Sequence, residues 1–230
     1  MHNKLENKRK INFILAKLYH FFFSEKFKKK INFNFDNSKN RLDLIQAAID
    51  KKKYQSYLEI GCDQNQIFGK INIKNKVGID PVSGGTLRCT SDDFFSNNSM
   101  KFDCIFIDGL HEYKQVSRDI RNSLNFLNND GVILLHDCLP DSISKQYVPR
   151  TRYAWNGDVW KAIVEVRTLK DLNVCTCMID EGVSVIKKKR NEDLLKLDIS
   201  NFSKLSYKFF YNNYKNIMRL KSYDDVINFL

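Results

Sequence analysis

The sequence of 230 residues contains no apolar run near the 18 or more residues that a membrane-spanning helix needs. Only nine glycines and three prolines are present, which excludes collagen-like and linker-like architectures. The six cysteines form no C-x-x-C pair, and Cys175-Thr-Cys177 is too closely spaced for a usual zinc site. We therefore expect reduced, mostly buried thiols in a cytoplasmic protein with a full hydrophobic core.

Acidic residues are scarce at the start of the chain. Residues 1–40 hold ten Lys/Arg and three Asp/Glu, which accounts for +7 of the total net charge of +11. A basic excess is typical of partners such as nucleic acid or an anionic membrane. However, the chain has no arginine-rich stripe to bind phosphates and bases, so a nucleic-acid partner is not expected. An AT-rich coding bias would by itself explain the abundant Lys and Asn.

The first 40 residues predict a basic helical arm. Its apolar stretch, residues 11–23, follows a positive segment as in a signal peptide, but no small-residue cleavage site comes after it. Two interpretations remain open. The helix packs on the domain or on a second subunit of a homo-oligomer, or it binds the inner surface of the membrane as a peripheral basic helix.

Beyond the arm, short apolar runs alternate with helical patterns. Strands are predicted at residues 57–60, 77–80, 87–90, 102–108 and 131–136. Helices are predicted at 41–53 and 158–169, and another lies between the last two strands with Val116, Ile120, Leu124 and Leu127 on one stripe. A hairpin is predicted at 174–179 and 183–186 around the turn at 180–182. This alternation indicates a parallel sheet covered by helices on both faces. We expect three segments: the arm 1–40, the catalytic domain 41–190 and a helical C-terminal extension 191–230.

Every predicted strand of the parallel core ends in or near a carboxylate. These residues are Glu59, Asp80, Asp92, Asp108 and Asp137. Ligands of open α/β sheets bind outside the carboxyl ends of the strands, so the series predicts a binding site at that edge.

The first two strands indicate what such a site binds. Gly61 permits a tight turn and close backbone approach to a ligand, and Asp80 lies where an acid accepts hydrogen bonds from a ribose. The phosphate-binding glycine pattern of nucleotide-dependent dehydrogenases is absent, and Asp63 would repel a pyrophosphate. A nucleoside without phosphates fits better, and the positive charges of S-adenosylmethionine suit the acidic surroundings.

Six segments together resemble a class I S-adenosylmethionine-dependent methyltransferase, closest to a small bacterial branch associated with glycan and polysaccharide genes. They are YLEIG at 57–61, VGIDP at 77–81, TSDDFF at 90–95, FDCIFIDGLHEY at 102–113, GVILLHDC at 131–138 and WNGDVW at 155–160. The resemblance covers residues 50–190. It departs from the family in the first loop, where Asp63 and Asn65 replace the usual second and third glycines.

The resemblance implies a doubly wound, mostly parallel seven-stranded Rossmann-like sheet closed by an antiparallel hairpin. It also implies cofactor contacts at Glu59 and Gly61 for the methionine end, Asp80 for the ribose, Ser91 and Asp92 for the adenine, and Asp108 beside the methyl group.

The expected reaction is methylation of a hydroxyl of a sugar or glycan-related small molecule. Such a hydroxyl needs a general base or a metal to accept the methyl group. In one scheme, His111 or His136 is the base and a carboxylate orients it, with Asp108 among the catalytic residues. In the other, Asp108, His136 and Asp137 hold a divalent ion, and the histidine favours Mn²⁺ or Fe²⁺ over Mg²⁺.

Other features leave the acceptor open. The segment 155–160 offers aromatic planes suited to sugar rings, although Trp160 is expected to anchor the following helix, and Arg150 and Arg152 suit an anionic acceptor. Two rival functions remain. An RNA methyltransferase would need a basic cofactor edge, whereas this one is acidic. A cofactor-free scaffold at a membrane glycan assembly would not bind S-adenosylmethionine.

Overall fold

The computed structural model describes the backbone of residues 2–230 and the side chains from residue 10 onward. The strands are β1 Ser56–Ile60, β2 Asn75–Ile79, β3 Phe102–Ile107, β4 Leu127–Leu135, β5 Asn173–Cys177, β6 Val183–Lys187 and β7 Leu220–Lys221. The α-helices are α1 His2–Phe23, α2 Arg41–Lys52, α3 Ser91–Asn97, α4 Tyr113–Phe126, α5 Ile143–Gln146, α6 Trp160–Arg167, α7 Tyr207–Ile217 and α8 Tyr223–Phe229. A short 3-10 helix, Phe202–Lys204, precedes α7.

The seven strands form one sheet in the order β2-β1-β3-β4-β6-β5-β7. Six strands run parallel, and β6 runs antiparallel between β4 and β5. Helices lie on both faces. This is the predicted doubly wound, Rossmann-like sheet with its closing hairpin, and the fold class is confirmed.

The predicted strand at residues 87–90 is wrong. Leu87 forms only an isolated bridge with Ile79, and the Thr90 side chain caps α3 by accepting a hydrogen bond from Asp93. The two left-handed glycines Gly84 and Gly85 turn the chain just before Leu87, so too few residues remain for a strand. The seventh strand comes instead from the C-terminal extension, where β7 pairs in parallel with β5.

The core has two layers because successive side chains of a strand point to opposite faces. Leu58 and Ile105 lie in the layer that includes α4, α6 and α7. Tyr57 and Phe106, one residue away along each strand, lie in the layer under α2 and α8. The mainly apolar strands β1 and β3 therefore contribute side chains to both core layers, as expected for parallel strands that helices cover on both faces.

The C-terminal extension is part of this core. Phe210 is fully buried, and its ring centroid lies 4.7 Å from that of Trp160. The Trp160 indole donates a hydrogen bond to Gln146 Oε1 at 2.7 Å, so Trp160 anchors α6 as expected. All six cysteines are free, and five of them are buried.

Helix α1 packs on the domain through one face. Ala16 is buried, the His20 ring stacks on Tyr147 at 3.8 Å, and His20 Nε2 lies 2.7 Å from the Pro149 carbonyl oxygen. The following extended segment binds the domain through its backbone, with Ile31 N donating to a carbonyl oxygen at 2.8 Å. Within residues 2–230, no helix has both the length and the apolar character to cross a bilayer.

We predict that Phe210→Ala lowers the free energy of unfolding by about 3–5 kcal/mol, because it opens a cavity between α7 and α6. Urea denaturation followed by circular dichroism measures the change. Phe22→Ala is the matched control, since Phe22 is 68% exposed on α1 and its truncation leaves no cavity. Equal stability of the two variants would show that the extension does not contribute to the core.

Candidate active site

A cleft of about 890 Å³ opens at the carboxyl edge of the sheet. Its floor comes from the residues that follow β1, β3 and β4, as the rule for open α/β sheets predicts. The walls come from α1, from the segment 149–156 and from the hairpin turn after β5. The predicted site residues that line it are Glu59, Gly61, Asp108, His111, His136 and Asp137.

The loop after β1 depends on left-handed backbone conformations. Gly61 has φ +90, and a Cβ atom there would lie 2.3 Å from the carbonyl oxygen of Asp108. Asp63 and Asn65 have φ +42 and +61, which lie in the left-handed region that glycine enters most readily. Asp and Asn tolerate this region better than other side chains do. Asn65 also accepts a hydrogen bond from Gly85 N at 2.7 Å, which fixes the loop.

Glu59 is a buried carboxyl group under the cleft, only 1% exposed. The Tyr57 hydroxyl donates to it at 2.5 Å and the Phe68 amide at 3.2 Å. Burial raises the pKa of Glu59 to about 7, more than the two hydrogen bonds lower it. A cation bound in the cleft would favour the ionised form.

Asp108, directly after β3, is the centre of a charged cluster. His111 Nε2 lies 3.1 Å and His136 Nδ1 lies 3.2 Å from its Oδ1, and Arg41 Nε lies 3.6 Å from its Oδ2. Burial alone would raise the pKa of Asp108, but the charge of His136 and the hydrogen bonds from both histidines outweigh it. The pKa of Asp108 is therefore held well below its usual value.

Asp137 meets the same histidines from the end of β4. His111 Nδ1 lies 3.2 Å from Asp137 Oδ2, and the Asn156 amide donates to Oδ1 at 2.9 Å. Burial opposes protonation of His111, but Asp108 and Asp137 outweigh it and raise its pKa. One ligand atom each from Asp108, His111 and Asp137 lies within 4.8 Å of the other two. Two oxygens and one imidazole nitrogen suit Mn²⁺ or Fe²⁺.

Both ring nitrogens of His136 have oxygen partners, which the sequence did not predict. Its Nδ1 faces Asp108 and Asp137, and its Nε2 lies 2.8 Å from the Asp180 carbonyl oxygen. The group with metal-ligand geometry thus includes His111, whereas the sequence prediction combined His136 with the two aspartates. Which residues bind a metal or act in catalysis stays a prediction.

Sequence reasoning missed Arg41 and Asp180. Arg41 donates to Asp180 Oδ2 from its backbone at 3.0 Å and from Nη1 at 2.8 Å. The sequence indicated only a helix start at Arg41 and a hairpin turn at Asp180, with 139 residues between them. The positive φ angles through 180–182 that shape the turn also bring the Asp180 side chain toward the cluster.

Three predicted cofactor residues lie outside the cleft lining. Asp80 Oδ1 accepts hydrogen bonds from the amides of Val82 and Ser83, and its Oδ2 accepts one from Asp63 N. Ser91 donates to Asp119 at 2.6 Å, and Asp92 pairs with Arg118 at 3.3 Å. Asp80 therefore joins the loops after β1 and β2.

The wall beside the cluster is aromatic and basic. Trp155 lies 5.5 Å from the His111 ring, nearly parallel to it. The Arg150 guanidinium lies 5.7 Å from both the Phe13 and Trp155 rings, so it bridges the arm and the loop. Arg152, also considered for an anionic acceptor, does not line the cleft.

Comparison with protein-family models supports the predicted class over part of the chain. Residues 33–138 match a family model described as a methyltransferase domain. The prediction of an S-adenosylmethionine-dependent methyltransferase is confirmed at this level. No curated protein matches the sequence.

Three solved structures show a partial likeness to this chain. A Podospora anserina methyltransferase bound to SAH is 15% identical, with a TM-score of 0.45, over 65% of this chain and 78% of that chain. A Bacillus cereus O-methyltransferase in complex with SAH is 11% identical, with a TM-score of 0.46, over 67% and 84%. The N-methyltransferase NodS of Bradyrhizobium japonicum is 16% identical, with a TM-score of 0.43, over 65% and 93%. At this level of similarity they assign neither a substrate nor site residues here.

We predict that Gly61→Ala lowers the free energy of unfolding by about 2 kcal/mol or more, because it adds a Cβ against the Asp108 carbonyl at a left-handed φ. Urea denaturation measures the loss. Gly109→Ala is the control, since its Cβ would meet Ile60 at an ordinary 3.5 Å, and we expect a change within about 1 kcal/mol. A Gly61→Ala variant as stable as the control would contradict the close approach of these two loops.

Proposed function

We propose that the protein transfers the methyl group of S-adenosylmethionine to a hydroxyl of a sugar or glycan-related small molecule. The observation that carries the proposal is the cleft of the methyltransferase domain, which is lined by Gly61, the buried acid Glu59 and the Asp108 cluster. Its volume of about 890 Å³ is within the range for small-molecule and cofactor sites.

The residues of this edge fit the cofactor. Glu59 supplies a carboxylate for the ammonium and sulfonium end, and the exposed backbone at Gly61 permits close approach. Asp80 accepts three amide hydrogen bonds, and an ionised carboxylate has about four acceptor positions, so one remains for a ribose hydroxyl. Ser91 and Asp92 stay the candidates beside the adenine.

Catalysis also requires that the acceptor hydroxyl loses its proton. The cofactor supplies an activated methyl group, so the protein has to position the acceptor in line with it. Both ring nitrogens of His111 and of His136 face oxygen atoms, so either ring would give up one of these contacts to act as a base, as His111 would to bind a cation. The close spacing of ligand atoms from Asp108, His111 and Asp137 favours the cation site.

We propose Asp108, His111 and Asp137 as the residues that hold a divalent cation. In this cluster the aspartates raise the pKa of His111 and of His136, so a bound divalent ion would take the place of the positive charge that protonated histidines supply there. A bound cation would lower the pKa of the acceptor hydroxyl. His136, held by the Asp180 carbonyl, would orient Asp108.

The acceptor side of the proposal rests on the wall that carries Trp155 and Arg150. Trp155 provides an aromatic plane with polar neighbours, which suits a sugar ring, and Arg150 would bind an anionic group of the acceptor. The carboxylates at the floor would repel an RNA backbone.

Cofactor binding is the first test. Isothermal titration calorimetry at pH 8 should show binding of S-adenosylmethionine, and Glu59→Gln should weaken it by tenfold or more because the cation loses its carboxylate. Glu192→Gln removes the same charge from a site 68% exposed and outside the cleft, and we expect it to bind like wild type. No binding at millimolar cofactor would favour the cofactor-free scaffold.

The affinity should also depend on pH. Because the pKa of Glu59 is raised to about 7 and the cationic ligand needs the ionised form, affinity should rise up to about tenfold per pH unit as pH approaches 7 and level off above it. Calorimetry from pH 5.5 to 8.5 measures the profile. The Glu59→Gln variant should lack this rise, and a wild-type profile that is flat below pH 7 would contradict the role of Glu59.

The cation site has a separate test. We expect wild type to bind Mn²⁺ in an electron paramagnetic resonance titration, and Asp137→Asn to weaken binding tenfold or more because one of three ligands is lost. EDTA should abolish methyl transfer to a panel of sugars and nucleotide sugars, and Mn²⁺ or Mg²⁺ should restore it.

Asp141→Asn is the control, because Asp141 lies outside the ligand group and its side chain is 40% exposed. Full activity after EDTA, without Mn²⁺ binding, would instead assign His111 or His136 as the general base.

A further inference from the structure

Helix α1 has a second apolar face that points away from the domain. Its members, here called the outer strip, are Ile11, Ile14, Leu15, Leu18 and Phe22, and they are 52–68% exposed. The spacing i, i+3, i+4, i+7, i+11 places them on one side of a helix. The packed residues Phe13, Ala16 and His20 lie on the opposite side.

The outer strip is unusual for this molecule. In the part of the chain whose side chains are described, the other exposed large apolar residues, away from α1, are dispersed: Val82, Leu87, Met100, Leu110, Tyr153 and Leu169. Single exposed apolar residues are ordinary, whereas a contiguous patch marks an interaction surface. Phe21 and Phe23 extend the patch at the end of the helix.

The positive charge around the outer strip indicates what kind of partner binds it. Residues 1–40 carry a net charge of +7, and the exposed Lys28 and Lys30 follow the helix closely. A symmetric dimer through the strip would bring two such arms together, because a two-fold axis places the same patch against itself. Repulsion between the arms disfavours a second copy, whereas an anionic surface complements both the charge and the apolar side chains.

We propose that the outer strip and the lysines that follow it bind the protein to an anionic lipid bilayer, with α1 lying in the plane of the interface. Apolar side chains insert among the acyl chains near the headgroups, and nearby lysines are attracted to anionic lipids. The other side of the same helix provides Asn12 and Phe13 to the cleft, so binding would hold the cleft beside the headgroups. The proposal does not depend on methyl transfer.

Vesicle sedimentation with the full chain tests the proposal. Wild type should co-sediment with vesicles of phosphatidylcholine containing 30% phosphatidylglycerol, and far less with phosphatidylcholine alone. Leu18→Asp should lower the partition coefficient tenfold or more. Leu169→Asp is the matched control, since Leu169 is 47% exposed against 52% for Leu18 and lies outside α1. Thermal melts of both variants check their folding.

A second pair of variants isolates the charge. Lys28→Gln with Lys30→Gln should weaken binding to the anionic vesicles, while Lys70→Gln with Lys74→Gln removes equal charge at exposed positions outside the arm and should bind like wild type.

Several results would overturn the proposal. Wild type could fail to bind anionic vesicles, or each variant could bind no less than its control. Loss of a dimer in Leu18→Asp by light scattering, with unchanged lipid binding, would assign the strip to a second copy. Binding to soluble polyglutamate without vesicle binding would assign it to an acidic protein.

Discussion

The partial burial of Asp108, whose side chain is 17% exposed, constrains most of the site. Its carboxylate lies in a cleft floor where an unpaired charge would be costly, so cationic groups have to reach it. Arg41 comes from α2, His111 from the loop after β3, and His136 from the end of β4. The Asp108 carbonyl, on the other side, leaves no space for a side chain at Gly61. One residue thereby fixes the relative positions of three elements around the proposed methyl-transfer site.

The protein separates its charges in space. The floor of the cleft is acidic, which suits the cationic cofactor proposed for it, whereas the basic excess belongs to the arm. Helix α1 joins the two regions because one of its faces contributes Phe13 to the cleft and the other exposes the outer strip. The total charge of +11 therefore describes the proposed membrane-binding arm more than the chemistry of the cleft.

Local sequence patterns predicted much of this fold. The apolar runs at 57–60 and 102–108 are long enough and bounded clearly enough to specify buried parallel strands, and the acids that follow them meet at one edge. The pattern failed at 87–90, where a glycine turn and the Thr90 cap leave only Leu87 to pair. It also missed β7, since two residues between helices carry no periodicity of their own.

The sequence by itself determined strands β1 to β6, the acidic edge and the predicted class of the domain, because strand patterning and the order of its motifs are local properties. Only the tertiary structure showed that His111 joins Asp108 and Asp137, and that Arg41 meets Asp180 from 139 residues away. It also showed that α1 is apolar on two opposite sides, one packed and one exposed. These features depend on which segments, far apart in the sequence, lie next to each other in space. Local sequence patterns do not specify those contacts, because they form only when the core packs.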